Sequence, residues 1–103
     1  MSLTSIRKRD GRVVPFEKEK IVSAIYRAAR AVGGRDYQTA EKLADKVIEL
    51  ASYQYLDDYE IATVEEIQDL VEKVLVKNGH YKTAKAYILY RKQHEVLRES
   101  KQL

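Results

Sequence analysis

The sequence predicts an α+β fold, mainly α: a four-helix bundle capped by a small β-hairpin or three-stranded sheet. Two observations carry this. Asp10-Gly11 sits between two short extended stretches near the start of the chain, a hairpin signal because glycine accepts positive φ without a Cβ clash. The rest contains four stretches whose apolar residues recur at helical spacing, each bounded by a start or stop residue.

The elements follow in order. Residues 5–8 and 12–16 flank the turn; Val13 and Val14 favour an extended backbone, and Pro15 closes the strand because it has no N–H to donate. The first helix is expected over 17–32, with Ile21, Ile25, Ala28 and Val32 as its buried stripe and Gly33-Gly34 as its stop. The second is expected over 37–54, burying Ala40, Leu43, Ala44, Val47, Ile48 and Ala51. Residues 55–62 have no helical period, and Tyr59-Glu60-Ile61 reads as a short third strand. Thr63-Val64-Glu65-Glu66 fits the reciprocal capping pattern of a helix start. The third helix then carries Ile67, Leu70, Val71, Val74 and Leu75 on one face and stops at Asn78-Gly79. The fourth runs over 81–99 with Ala84, Tyr87, Ile88 and Leu97 inward, and a frayed end at 98–103. Residues 1–4 are read as disordered or added in cloning and are left out of the fold.

Composition narrows the function. The 103 residues suit one domain, which at this size buries roughly 60–70% of its unfolded surface. Cysteine is absent, which removes disulfides, thiolate metal sites and cysteine nucleophiles together. His80 and His94 have no local metal-ligand spacing. No stretch is long enough to span a membrane and no secretory signal is present, so a cytoplasmic location is the default expectation. The net charge is +3, yet Arg7, Lys8, Arg9 and Arg12 crowd the turn with only Asp10 opposing them, and Lys18 and Lys20 follow. Such a basic start on a near-balanced chain suits a local anion site better than a broad nucleic-acid surface.

Lys20 falls in the first turn of the first helix, where unpaired N–H groups and the helix dipole favour phosphate. Hairpin cations converging with Lys20 would hold a polyphosphate. The plain alternatives stand beside this reading: Lys and Arg clusters are usually solvated faces, Thr63 is first of all a helix cap, and Lys20 can simply be exposed. The arrangement is not a P-loop, since Gly-x-x-x-x-Gly-Lys-Ser/Thr is missing. Tyr81, Tyr87 and Tyr90 read as core or interface aromatics, while Tyr53, Tyr55 and Tyr59 mark a possible contact surface.

Ile6, Lys8-Arg9-Asp10-Gly11, Phe16 and Lys20-Ile21 closely resemble the opening of the ATP-cone, the N-terminal regulatory domain of many ribonucleotide reductases. Residues 63–75 are similar to that family's third helix, and Ala84-Lys85-Ala86-Tyr87-Ile88-Leu89-Tyr90-Arg91 to its last. The resemblance covers residues 5–91. It implies that Ile6, Lys8 and Arg9 line a nucleotide site and that Lys20 contacts phosphate. Thr63 and Gln68 would lie near the ribose or base, and Lys85, Arg91 or Lys92 would close over the phosphates. Val14 and Pro15 stand where relatives often have a polar residue before the helix. The implied ligand is ATP or dATP, with Mg²⁺ through the phosphates, and the implied role is allosteric regulation of deoxyribonucleotide synthesis. The implied partner is the catalytic domain or subunit of a ribonucleotide reductase, with self-association as a further expectation.

A nucleic-acid-binding regulator of ATP-cone type is the runner-up. Without cysteines it lacks the zinc ribbon of such repressors, and direct DNA binding would fall to residues 7–12 alone. A small hydrolase has less support, because no nucleophile–base pair or metal-ligand set stands out. The chain is therefore expected to be a regulatory module and not an enzyme.

Overall fold

The computed structural model describes residues 4–55 and 60–101. β1 (Ser5–Arg7) and β2 (Val13–Pro15) pair antiparallel, with Ser5 opposite Pro15, Ile6 opposite Val14 and Arg7 opposite Val13. The turn closes through Lys8 N–H to Arg12 O at 2.8 Å and Gly11 N–H to Lys8 O at 2.9 Å. Gly11 sits at φ +90°, a left-handed conformation that a side chain would strain. The Asp10 carboxylate accepts from the Arg12 N–H at 3.1 Å and from Arg12 Nε at 2.6 Å. The backbone bond foremost, then the side-chain bond, holds Asp10 below the usual carboxylate range. The hairpin reaches back to Thr4, whose carbonyl accepts the Phe16 N–H at 3.0 Å; residues 1–3 lie outside the described residues.

Four helices follow: α1 (Lys18–Ala31), α2 (Tyr37–Gln54), α3 (Val64–Lys77) and α4 (Tyr81–Lys101). They pack in a ring, with α1 against α2 and α4, and α3 against α2 and α4. Two of them start on side-chain caps. The Asp36 carboxylate accepts from the Gln38 and Thr39 N–H groups. Thr63 and Glu66 exchange bonds, Glu66 N–H to Thr63 Oγ1 at 3.1 Å and Thr63 N–H to Glu66 Oε1 at 3.0 Å, which is the capping box read from the sequence. The core joins Ile21, Val22, Ile25 and Ala28 of α1 with Ala40, Leu43, Ala44, Val47 and Ala51 of α2. Ile67, Leu70, Val71, Val74 and Leu75 of α3 and Ala84 and Tyr87 of α4 complete it. The sequence-derived helix bounds and stripes match this core in α2 and α3, apart from Ile48, which is half-buried.

Three expectations are corrected. The sheet has two strands among the described residues, with a single parallel bridge from Arg7 to Thr63 in place of the third strand over 59–61. Arg7 N–H donates to Ala62 O at 2.9 Å, and the chain then turns directly into α3. Tyr59 lies outside the described residues; Glu60 and Ile61 are not in a strand. Val32 is 41% exposed, because α1 ends one residue earlier and Gly33, at φ +94°, turns the chain away; Val22 takes the buried place. Ile88 and Leu97 are 44% and 56% exposed. Beyond Tyr87 the helix has no neighbour covering it all round, and from 88 to 101 only Arg91 and Arg98 are half-buried. The helix itself continues to Lys101.

Candidate functional site

The hairpin, the start of α1 and the start of α3 enclose a cleft of about 270 Å³. Ile6, Lys8 and Arg9 come from β1 and its turn, and Val14, Pro15 and Phe16 from β2 and the connection after it. Glu17, Lys20, Ile21 and Ala24 come from α1, and Val64, Ile67, Gln68 and Val71 from α3. Tyr87 of α4 closes the inner end, buried, with desolvation pushing its phenol well above the usual tyrosine range. The space is thus an apolar slot with cations at its mouth.

The start of α1 differs from those of α2 and α3. Its N-cap residue Glu17 makes no side-chain capping bond, so the first-turn N–H groups lack the acceptor that Asp36 and Thr63 supply elsewhere. Lys20 stands in that same turn, exposed, 3.4 Å from Glu17. A cation there opposes the helix dipole, and an anion placed against both relieves the conflict. Arg9 is already occupied: Nε lies 2.6 Å from Glu65 Oε1, and Nη2 donates to Gln68 Oε1 at 3.4 Å. Lys8 makes no ion pair among the described residues and lines the same cleft.

Of the residues singled out in the sequence, Ile6, Lys8, Arg9, Lys20 and Gln68 come together here. Thr63 stands immediately beside the wall residue Val64; its Oγ1 accepts from the Glu66 N–H and keeps its own proton to donate. Arg91 and Lys85 lie elsewhere. Arg91 donates to both Asp69 and Glu72, with its Nη1 2.9 Å from Asp69 Oδ1, clamping α4 to α3. It also borders a polar hollow of about 380 Å³ shared with Arg9, Gln68 and Arg98. Lys85 lines a larger groove, about 480 Å³, between α1 and the outer face of α4. That groove receives nothing from the hairpin, whereas the smaller cleft is lined by the hairpin together with the starts of α1 and α3.

The sequence reading missed the apolar wall. Ile21, Ile67, Val71 and Tyr87 serve the core and the cleft together, and their periodicity announces only the core. Phe16 had a signal in its place within the motif, but no role. A groove of this make-up can take a flat apolar group inside and a polyanion at the mouth. Among the described residues no cluster of three His, Asp or Glu side chains is placed to hold a metal ion, and no helix is long and apolar enough to cross a membrane.

Comparison with known proteins identifies relatives of this chain. The vitamin B12-dependent ribonucleoside-diphosphate reductase of Thermoplasma acidophilum is 47% identical over 106 aligned positions, covering 98% of this chain and 13% of that protein. The enzyme of the same name from Mycobacterium tuberculosis is 38% identical, with 95% and 13% covered. The anaerobic ribonucleoside-triphosphate reductase of Salmonella typhimurium is 35% identical, with 93% and 13% covered. The chain thus spans about an eighth of the length of these relatives. The family described as the ATP cone domain matches residues 4–96, nearly the whole of the described fold, and the chain belongs to that ATP-cone family.

Proposed function

We propose that this domain is an allosteric sensor of adenine nucleotide, ATP or dATP, that controls a ribonucleotide reductase. The observation that carries the reading is the uncapped start of α1 facing the same cleft as Lys8, Arg9 and Lys20. The base enters the slot between Ile6, Phe16, Ile67 and Val71. The phosphates meet Lys8, Arg9, Lys20 and the α1 amides, with Mg²⁺ carried on the phosphates. Gln68 and the Thr63 hydroxyl are placed for the ribose or the base edge. Arg91, engaged by Asp69 and Glu72, and Lys85, in a separate groove, are not given to the phosphates. The relatives named above are reductases, and the partner is the catalytic portion of such an enzyme.

The site holds the nucleotide and does not transform it. Nothing in the cleft is placed to activate water: its one lining carboxylate, Glu17, stands 3.4 Å from the Lys20 ammonium. Regulation then comes from a difference in affinity between two states of the partner assembly. The test is calorimetric titration with ATP, dATP, GTP and CTP, with and without magnesium. Adenine nucleotides bind, and at a hundredfold excess over Kd they stabilise the fold by about 2.7 kcal/mol. Lys8→Ala/Lys20→Ala loses that stabilisation while remaining folded, since neither side chain is in the core. A melt unchanged by millimolar ATP and dATP in nucleotide-free protein refutes the reading, and so does steady ADP production that the double variant abolishes.

A further inference from the structure

Arg27, Lys82 and Lys85 form no ion pair among the described residues, whereas Arg9, Arg12, Lys18 and Arg91 each have a carboxylate partner. The three cations border the groove of about 480 Å³ between the second half of α1 and the first turns of α4, and among the described residues no carboxylate lines it. Its floor is made of Ala28, Ala31 and Ala86, so the backbones of both helices are open to close approach. Val32 and Leu89 stand on either side, 41% and 55% exposed. Lys82 to Gln93 covers about 17 Å along α4 at the helical rise, the length of three turns of a partner helix. An apolar strip with a charged rim marks an interaction site, and three like charges around it favour an anionic occupant.

We propose that this α1–α4 groove docks a helix of a partner protein, one with an apolar face flanked by carboxylates. A low floor of alanines between two ridges is the geometry into which a third helix packs. Nucleic acid fits it less well, because stacking needs a free aromatic face. Among the described residues a single aromatic ring, Tyr90, lines the groove, and one side of it is set against His94, with centroids 4.2 Å apart.

The test uses a fluorescein-labelled helical peptide of about five turns, leucine on one face and glutamate beside it. Its lysine-for-glutamate counterpart, labelled oligothymidylate and sedimentation of the chain alone complete the set. Saturable binding of the acidic peptide, weakened about tenfold or more by Arg27→Glu/Lys82→Glu, with the lysine peptide gaining affinity for that variant, is the expected result. Leu89→Asp, also on the exposed face, weakens both peptides. Absence of acidic-peptide binding at millimolar concentration overturns the proposal. So does binding indifferent to the charge reversal, tighter binding of oligothymidylate than of the peptide, or self-association of the chain that Leu89→Asp abolishes.

Discussion

Arg9 and Glu65 lie 2.6 Å apart, Nε to Oε1, where Arg9 lines the cleft and both border the neighbouring polar hollow. The carboxylate belongs to the first turn of α3, where the helix dipole favours it. Under the proposed function, an incoming phosphate competes with Glu65 for one guanidinium.

Glu65→Gln removes that competitor. Both side chains are substantially exposed, and exposed pairs of this kind are worth ~0.2–1 kcal/mol. ATP affinity should rise about twofold to fivefold, read by calorimetry. A fall in affinity would mean that Glu65 positions Arg9 for the phosphate.

Thr63→Ala removes the side-chain half of the capping box. The cost should be ~1 kcal/mol, a fall of about 4–8 °C in Tm for a domain of this size. Thr63→Ser should restore most of it, because the same oxygen accepts the Glu66 N–H. Equal melting of all three proteins would remove the cap from the account of α3.

Acid and alkaline melts report on one pair. The Tyr55 hydroxyl donates to Glu66 Oε2, and this bond foremost, with the Thr63 N–H next, holds Glu66 below its ordinary value of 4.5. The stability it contributes is present above pH 4.5 and lost as pH falls below it. Burial first, and then Glu66, push Tyr55 from 10.0 up to about 12. Its contribution is complete below pH 10 and lost as pH rises towards 12. Tyr55→Phe should therefore flatten both limbs of the stability profile relative to the parent protein. Parallel profiles for the two proteins would show that the pair is not coupled to folding.

Leu75→Ala and Ile88→Ala separate core from surface. Leu75 is fully buried, and its truncation should cost ~2–5 kcal/mol in denaturant unfolding. Ile88 was read from the sequence as inward, yet it is 44% exposed, and its loss should stay within about 0.5 kcal/mol. A large cost at Ile88 would return it to the core.

The helices were legible because their signals are local. Thr63 caps the helix that begins after it, and the stripes of α2 and α3 repeat over several turns; the Asp36 cap of α2 emerged only in the structure. What failed depends on neighbours. Ile88 and Leu97 keep the helical period of α4, but no element covers them where the helix runs past the bundle. Residues 59–61 have strand-like composition, yet among the described residues the chain bridges to β1 at Thr63, where α3 begins. In the site, the cations Lys8, Arg9 and Lys20 were legible from charge and turn chemistry. The slot between them was hidden, because Ile67 and Val71 carry the same pattern whether they face core or cleft. Arg91 was read as reaching the ligand; its carboxylate partners, Asp69 and Glu72, come from another helix.

The bond from Arg7 N–H to Ala62 O also bears on the order of assembly. A hairpin of three residue pairs has too few contacts to persist in water alone, and its outside support, from Ala62, Glu65 and Gln68 and from the core under Ile6 and Phe16, comes from residues distant in sequence. Closing that long loop before the helices have packed costs entropy with little return. The bundle is therefore expected to form before the hairpin settles onto it. Native-state hydrogen exchange is expected to show the hairpin opening at a free energy below that of global unfolding.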